Sequence, residues 1–133
     1  MTWRAEPQSF ALIGFREPPL SADFAALEHP PAQIVRESDE TTLLVRESEA
    51  DGVLARHPAA RVERDLVWVR FDAPMSWDVV GFLARVTSAL AAADVPLGAV
   101  CGFSRDHLFI ARKHLGSARA VLDELFPPRG ARD

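Results

Sequence analysis

Apolar and polar residues fall in alternating blocks along this chain, and the spacing inside each block predicts an element. Phe10-Ala11-Leu12-Ile13-Gly14-Phe15 is a short apolar run closed by Arg16-Glu17-Pro18-Pro19, which predicts a strand ended by two prolines. Leu20, Phe24 and Leu27 recur at helical spacing, enough for about two turns, with Ser21 as N-cap and Pro30-Pro31 as the stop. Gln33-Ile34-Val35-Arg36 and Thr41 to Val45 are β-prone runs around the polar turn Glu37-Ser38-Asp39-Glu40, the pattern of a hairpin. Ala50, Val53 and Leu54 predict a weak helix, weakened by Gly52 and ended by Pro58. Residues 60 to 72 hold a longer β-prone stretch. Its centre, Leu66-Val67-Trp68-Val69, is apolar on both alternating faces and so belongs inside a sheet.

The second half carries stronger periodicity. Val79, Leu83, Val86 and Leu90 share one helical face, and with Ser76 as N-cap they predict a helix from about residue 77 to 92. Asp94-Val95-Pro96 breaks it, Leu97 to Phe103 forms a strand, and Leu108 to Ala111 forms the hairpin partner. Leu115, Ala118, Leu122 and Leu125 mark a last helix that Pro127-Pro128 terminates. The order strand, helix, strand, strand, helix therefore occurs twice. Overlaying the hairpins, Arg36 to Val45 on Cys101 to Ile110, pairs Leu43 with Leu108 and Val45 with Ile110. Identity across the overlay is poor, so the repeated order of elements carries the expectation: an α+β chain of two ferredoxin-like βαββαβ units, 1–63 and 64–133.

Composition narrows the function classes. With 133 residues, 48% of them apolar, the chain can bury one moderate core or two very small ones. Fifteen Lys and Arg against nineteen Asp and Glu leave a formal charge of -4 with no basic cluster, which disfavours nucleic acid as a partner. The single cysteine, Cys101, excludes an internal disulfide and a cysteine-based zinc site, and it reads as a buried structural thiol inside an apolar strand. The start MTWRAEPQSF lacks a cationic region leading into an apolar core, and no apolar run approaches the roughly 18 residues of a membrane span. A cytoplasmic protein without membrane partners is expected.

The tract WVRFDAPMSWDVVGFLARVTSALAAADVPL followed by AVCGFSRDHLFIAR resembles the small tandem ACT-domain proteins, whose modules bind amino acids and related metabolites. The matching features are the Trp-bearing first strand, the spacing of Gly81 and Ala84, the Ala-rich helix end before Val-Pro-Leu, and Asp106-His107 opening an apolar strand. IVRESDETTLLVRE in the first half is similar to the degenerate leading module of such proteins. The resemblance implies two ACT modules sharing a seam, a regulatory role without turnover or cofactor, and a ligand at that seam against the loop joining the first strand to the first helix. The tail FPPRGARD departs from the family pattern because it is a poor fourth strand. The edge left open is covered either by the N-terminal strand near Phe10 to Phe15, as strand exchange within the chain, or by a second chain in a homodimer; crossing within the chain is favoured.

Three readings compete for Ser104-Arg105-Asp106-His107. Catalysis is disfavoured by the strand, since Asp106 and His107 would point to opposite faces. A turn in which Ser104 and Asp106 bond backbone amides is one remaining reading, and the other, which the resemblance implies, has Asp106 accept from a ligand's ammonium group. At Met75-Ser76-Trp77-Asp78-Val79-Val80-Gly81 the unpartnered N–H groups of a helix start suit a carboxylate. Ordinary capping by Ser76, with Gly81 present for close packing and Asp78 already at the positive end, is the alternative there. Trp3 reads as a loose terminus, Trp68 as core and Trp77 as rim. His29, His57, His107 and His114 lack metal-ligand spacing, so no metal site is expected.

Together these features point to a small-molecule, amino-acid sensor in which Met75 to Gly81 hold the carboxylate, Asp106 holds the amine, and Cys101, Gly102 and Phe103 form the wall. The alternative is a ligand-free interaction module that uses an open strand edge.

Overall fold

The first strand begins well before the apolar run that predicts it. In the computed structural model, which describes residues 1–128, β1 spans Trp3–Phe15 and is followed by α1 (Ser21–Ala25), β2 (Gln33–Arg36), β3 (Thr41–Arg46), α2 (Glu47–Arg56) and β4 (Arg61–Phe71). The second half adds α3 (Phe82–Ala92), β5 (Gly98–Cys101), β6 (Asp106–Ala111), a short 3-10 turn (Arg112–His114) and α4 (Leu115–Leu125). Hydrogen bonding connects the strands in the order β2-β3-β1-β4-β6-β5, an α+β arrangement of six strands with helices. The chain divides into two compact units: Gln8–Leu66, and Met1–Pro7 together with the chain from Val67 onward. Residues 1–128 include only the first part of the FPPRGARD tail, and its end lies outside the described residues.

In the unit Gln8–Leu66, Ala11, Ile13 and Phe15 occupy alternate positions of β1 and are buried with Leu43 and Val45 of β3 and Ala50 and Val53 of α2. The antiparallel register sets Ile13 opposite Leu43 and Ala11 opposite Val45, so the apolar alternation of both strands reaches the same core. The segment Phe10–Phe15 thus pairs with β3, while the residues preceding Gln8 group with the chain from Val67 onward.

Helix α1 departs from its sequence pattern. It is five residues long, its N-cap is Leu20 rather than Ser21, and Leu20 and Phe24 are half exposed. The buried residues there are Ala26 and the charged Asp23, which is fully inaccessible. Asp23 accepts from the Leu20 amide (2.8 Å) and from Arg56 Nε (2.9 Å), and lies 2.8 Å from His57 Nε2. The His57 ring stacks on Phe15 with centroids 3.7 Å apart, and its Nδ1 lies 3.3 Å from a Glu17 carboxylate oxygen. A charged anchor thus takes the place of the apolar stripe that the spacing of Leu20, Phe24 and Leu27 predicts.

The unit beginning at Val67 has its own core, in which Val69 and Phe71 of β4, Val86 and Leu90 of α3, Leu108 and Ile110 of β6, and Ala118 and Leu122 of α4 are buried. Leu108 and Ile110 are as inaccessible as Leu43 and Val45, their counterparts in the hairpin overlay. Phe71, Phe82 and Phe126 pack ring on ring with centroids 5.1 to 6.0 Å apart, so Phe126 continues the core beyond α4. Trp3 is no loose terminus: it packs against this core, donates from Nε1 to Asp123 (2.9 Å) and carries the Arg119 guanidinium over its ring. Trp68 is only half-buried and lies beneath the Arg70 guanidinium.

Burial alone pushes the Asp23 carboxyl up, but the bonds from Leu20, His57 and Arg56 outweigh it and hold the group below its ordinary 3.8. An unfolded chain therefore binds this proton more readily than the folded one. The resulting stabilisation is fully present above about pH 3.8 and is lost as pH falls through the lower folded value. Asp23→Asn should cost on the order of 3 kcal/mol near neutral pH in urea denaturation, because Arg56 loses its buried counter-charge and His57 its carboxylate partner. It should also flatten the acid side of the stability profile; an unchanged midpoint and acid slope would show that the anchor contributes nothing.

Candidate functional site

The turn between β5 and β6 and the loop between β4 and α3 together build a cleft. Gly102 N–H donates to the Arg105 carbonyl (2.8 Å), which closes the turn, and Met75 N–H donates to the Ser104 carbonyl (2.7 Å), which fastens the loop to it. The cleft so formed encloses about 310 Å3, within the range of small-molecule sites. All its lining residues belong to the unit that begins at Val67.

Nine of the eleven residues singled out from the sequence line this cleft: Met75, Ser76, Trp77, Val79 and Gly81 from the loop, and Cys101, Gly102, Phe103 and Asp106 from the hairpin. Asp78 and Val80 do not line it, and both are exposed. Phe82, Leu83, Ala84, Ser104 and Arg105, which the sequence does not mark as site residues, complete the lining. Phe82 and Leu83 are half-buried side chains that pack on the core and also reach the cleft, so their apolar spacing signals only the first of these roles. For Arg105 a signal was present, because it is the cation directly beside Asp106 in a polar turn.

Helix α3 begins at Phe82, five residues later than its periodicity predicts. Val79 therefore leaves the helical face and is half exposed, while Leu83, Val86 and Leu90 stay on it. Ser76 is not the cap; its carbonyl accepts from Val79 N–H (3.1 Å) in a turn. Gly81 is the N-cap, with φ 89°, a left-handed conformation that side-chain-bearing residues rarely adopt. A Cβ at Gly81 would meet nothing within 4 Å, so the backbone conformation and not close packing calls for glycine. Gly102 is the opposite case. A Cβ there would lie 2.9 Å from the Arg105 carbonyl oxygen and 3.4 Å from His107 Nε2.

The antiparallel register places Cys101 opposite Asp106 and Val100 opposite His107, so Asp106 and His107 face opposite sides of the hairpin. The Asp106 carboxylate, accepting from the Cys101 thiol, pushes that thiol up, with burial and the negative charge adding to the effect. Cys101 is exposed, contrary to its apolar surroundings in sequence, yet its thiol is held protonated. His107 accepts from Trp68 Nε1 at Nδ1 (3.1 Å). Burial holds the His107 imidazole below its usual range, the Arg70 and Arg105 charges add to this, and Asp106 opposes it. His107 thus belongs to the strand packing and Asp106 to the cleft.

The unit Gln8–Leu66 has a cleft at the corresponding places, after β1 and beside the β2–β3 turn, with a volume of about 660 Å3. It is the roomier of the two but is bordered mostly by charged groups, Arg16, Glu17, Asp39, Glu40 and Arg61, with Arg61 and Glu40 3.5 Å apart. Among the described residues no group of three or more His, Cys, Asp or Glu side chains is placed to hold a metal ion, and no helix is long and apolar enough to cross a membrane.

The two glycines give a test of how the cleft is built. Gly81→Ala should cost about 1–2 kcal/mol through backbone conformation, and Gly81→Asn should recover part of this because asparagine tolerates left-handed φ. Gly102→Ala should cost about 1–3 kcal/mol through crowding, and Gly102→Asn should be no better since the clash is with Cβ itself. Urea denaturation of the four variants decides it; equal rescue by asparagine at both positions would contradict these causes.

Residues 61–124 match the family model described as the ACT domain. No curated protein matches the sequence. Among solved structures, the chain is similar to an Agrobacterium tumefaciens protein (TM-score 0.73, 20% identity, 92% of this chain and 87% of that one). It is also similar to a Vibrio cholerae protein described as a possible transport protein (0.69, 17%, 91% and 86%) and to the regulatory subunit of aspartate kinase from Thermus flavus (0.71, 13%, 95% and 97%). At these identities the likeness shows the fold: the chain shares an α+β, ACT-like fold with regulatory domains of aspartate kinase.

Proposed function

We infer that this chain is a regulatory, non-catalytic module of the ACT type that binds an amino acid in the cleft between the loop before α3 and the β5–β6 turn. The observation that carries this reading is the convergence of the loop from Met75 to Gly81 and the hairpin bearing Asp106 on one concave, largely apolar cleft of about 310 Å3. Asp106 accepts from the ligand's ammonium group, the loop offers N–H groups to its carboxylate, and Cys101, Gly102 and Phe103 form the wall. Residues 64–133 are the binding module and residues 1–63 a degenerate one, whose mostly charged cleft lacks the apolar lining. The match of residues 61–124 to the ACT domain supports a regulatory role, as does the likeness to a regulatory subunit of aspartate kinase.

One observation favours a second reading. Trp77, Val80 and Phe103 are 85%, 94% and 92% exposed, and β5 ends the strand order with one side unpaired. Large apolar side chains and a free edge suit a surface that pairs with another protein or with a second copy of this chain.

Thermal-shift screening against the twenty amino acids separates the two, because a ligand selective for the folded state raises its melting temperature. A selective shift supports the sensor; no shift, with light scattering showing a stable dimer, supports the interaction surface. In the sensor, Asp106→Asn should weaken the amino acid that binds by roughly tenfold or more and change the stability of the free protein by less than about 1 kcal/mol. Equal loss of fold and affinity would reduce Asp106 to a turn residue.

A further inference from the structure

Among the described residues only two charged side chains line the cleft, and they have opposite sign: Arg105 and Asp106. Among the described residues neither forms an ion pair, whereas Arg4 and Arg70 in the same unit pair with Glu6. Arg85 and Arg119 are likewise accounted for, each lying over an aromatic ring. Arg105 has neither kind of partner. Its Nε is buried without a hydrogen-bond acceptor, so packing holds its stem while its charge is left uncompensated. A guanidinium in that condition is fitted to a planar oxyanion.

We propose that Arg105 holds the carboxylate of the bound molecule and that the cleft selects an α-amino acid with an uncharged, apolar side chain. This rests on the amino-acid reading of the same cleft and departs from it in moving the carboxylate from the start of α3 to the hairpin turn. Arg105 and Asp106 then take the two charges of one zwitterion. The rest of the lining is apolar or neutral, with Met75, Trp77, Val79, Phe82, Leu83 and Phe103 available to the ligand's side chain. A third charge on that side chain would enter the cleft with no partner, at a cost that an apolar side chain does not incur. This is how specificity arises in the site: the α-groups saturate its only charges.

The experiment is calorimetric titration of the full chain with L-leucine, L-methionine and L-phenylalanine, with L-aspartate and L-lysine for comparison, and with the amide of whichever apolar amino acid binds tightest. Wild type should bind that amino acid about tenfold or more tightly than its amide, which keeps the ammonium group but has no carboxylate. Arg105→Gln should weaken the acid by roughly ten- to a hundredfold and leave the amide unchanged, and Arg105→Lys should restore part of the loss. A purely structural Arg105 would move acid and amide together, and that result overturns the proposal. Tighter binding of L-aspartate or L-lysine, or an acid and amide of equal affinity in wild type, also overturns it without requiring any variant to fold. Those outcomes leave amino-acid binding itself intact, whereas failure of all twenty amino acids to bind removes the underlying reading as well.

Discussion

A single backbone hydrogen bond, from Met75 N–H to the Ser104 carbonyl at 2.7 Å, fastens the ten-residue stretch between β4 and α3 to the β5–β6 turn. Loops of this kind have few internal bonds and wander unless something fixes them. Here the loop has an anchor near each end. Asp72 N–H donates to the Thr2 carbonyl (3.0 Å) where β4 stops, and Gly81 adopts its left-handed conformation where α3 starts. Between these anchors the Met75 bond sets the distance between loop and turn, and hence the width of the cleft.

The two units handle buried charge in opposite ways. In Gln8–Leu66 the inaccessible Asp23 carboxylate is met by Leu20, Arg56 and His57, so its desolvation is offset within the chain. In the unit from Val67 onward the charges of Arg105 and Asp106 line a cleft with no ion pair between them or to any other described residue. A satisfied charge network stabilises a fold and leaves nothing to offer a ligand. Charges that face a cleft without an ion-pair partner remain open to a ligand, and this difference is the ground on which we propose the binding site for the second unit.

Much of this was legible in the sequence wherever burial follows periodicity. The hairpins, α2, α4 and the doubly apolar centre of β4 lie where alternation and helical spacing predict them, and Leu43, Val45, Leu108 and Ile110 are fully buried. The start of α3 was not legible, because Ser76 looks like a cap and Val79 keeps the helical spacing, while a turn from Ser76 to Val79 and the conformation of Gly81 delay the helix. The short helix α1 lies where its spacing predicts it, but its buried face was not legible, because the apolar stripe is outranked by Asp23 through partners that lie in α2 and just beyond it, far along the chain. Cys101 reads as buried because its neighbours in sequence are apolar, but a strand has two sides and its own side is exposed. Arg105 is visible in the sequence as the cation beside Asp106, but no local pattern reveals that it will lack an ion-pair partner.

The central claim is that the cleft of Met75 to Gly81 and Cys101 to Asp106 is where a small molecule binds. Backbone amide NMR of the uniformly labelled chain, titrated with the amino acid that shifts its melting temperature most, tests this residue by residue. The account predicts saturable shifts concentrated at Met75, Gly81, Gly102, Arg105 and Asp106, with the amides of Gly14 to Glu17 and Asp39 to Arg61 unmoved. Shifts confined to that second set would place the ligand in the charged cleft of the other unit and contradict the account.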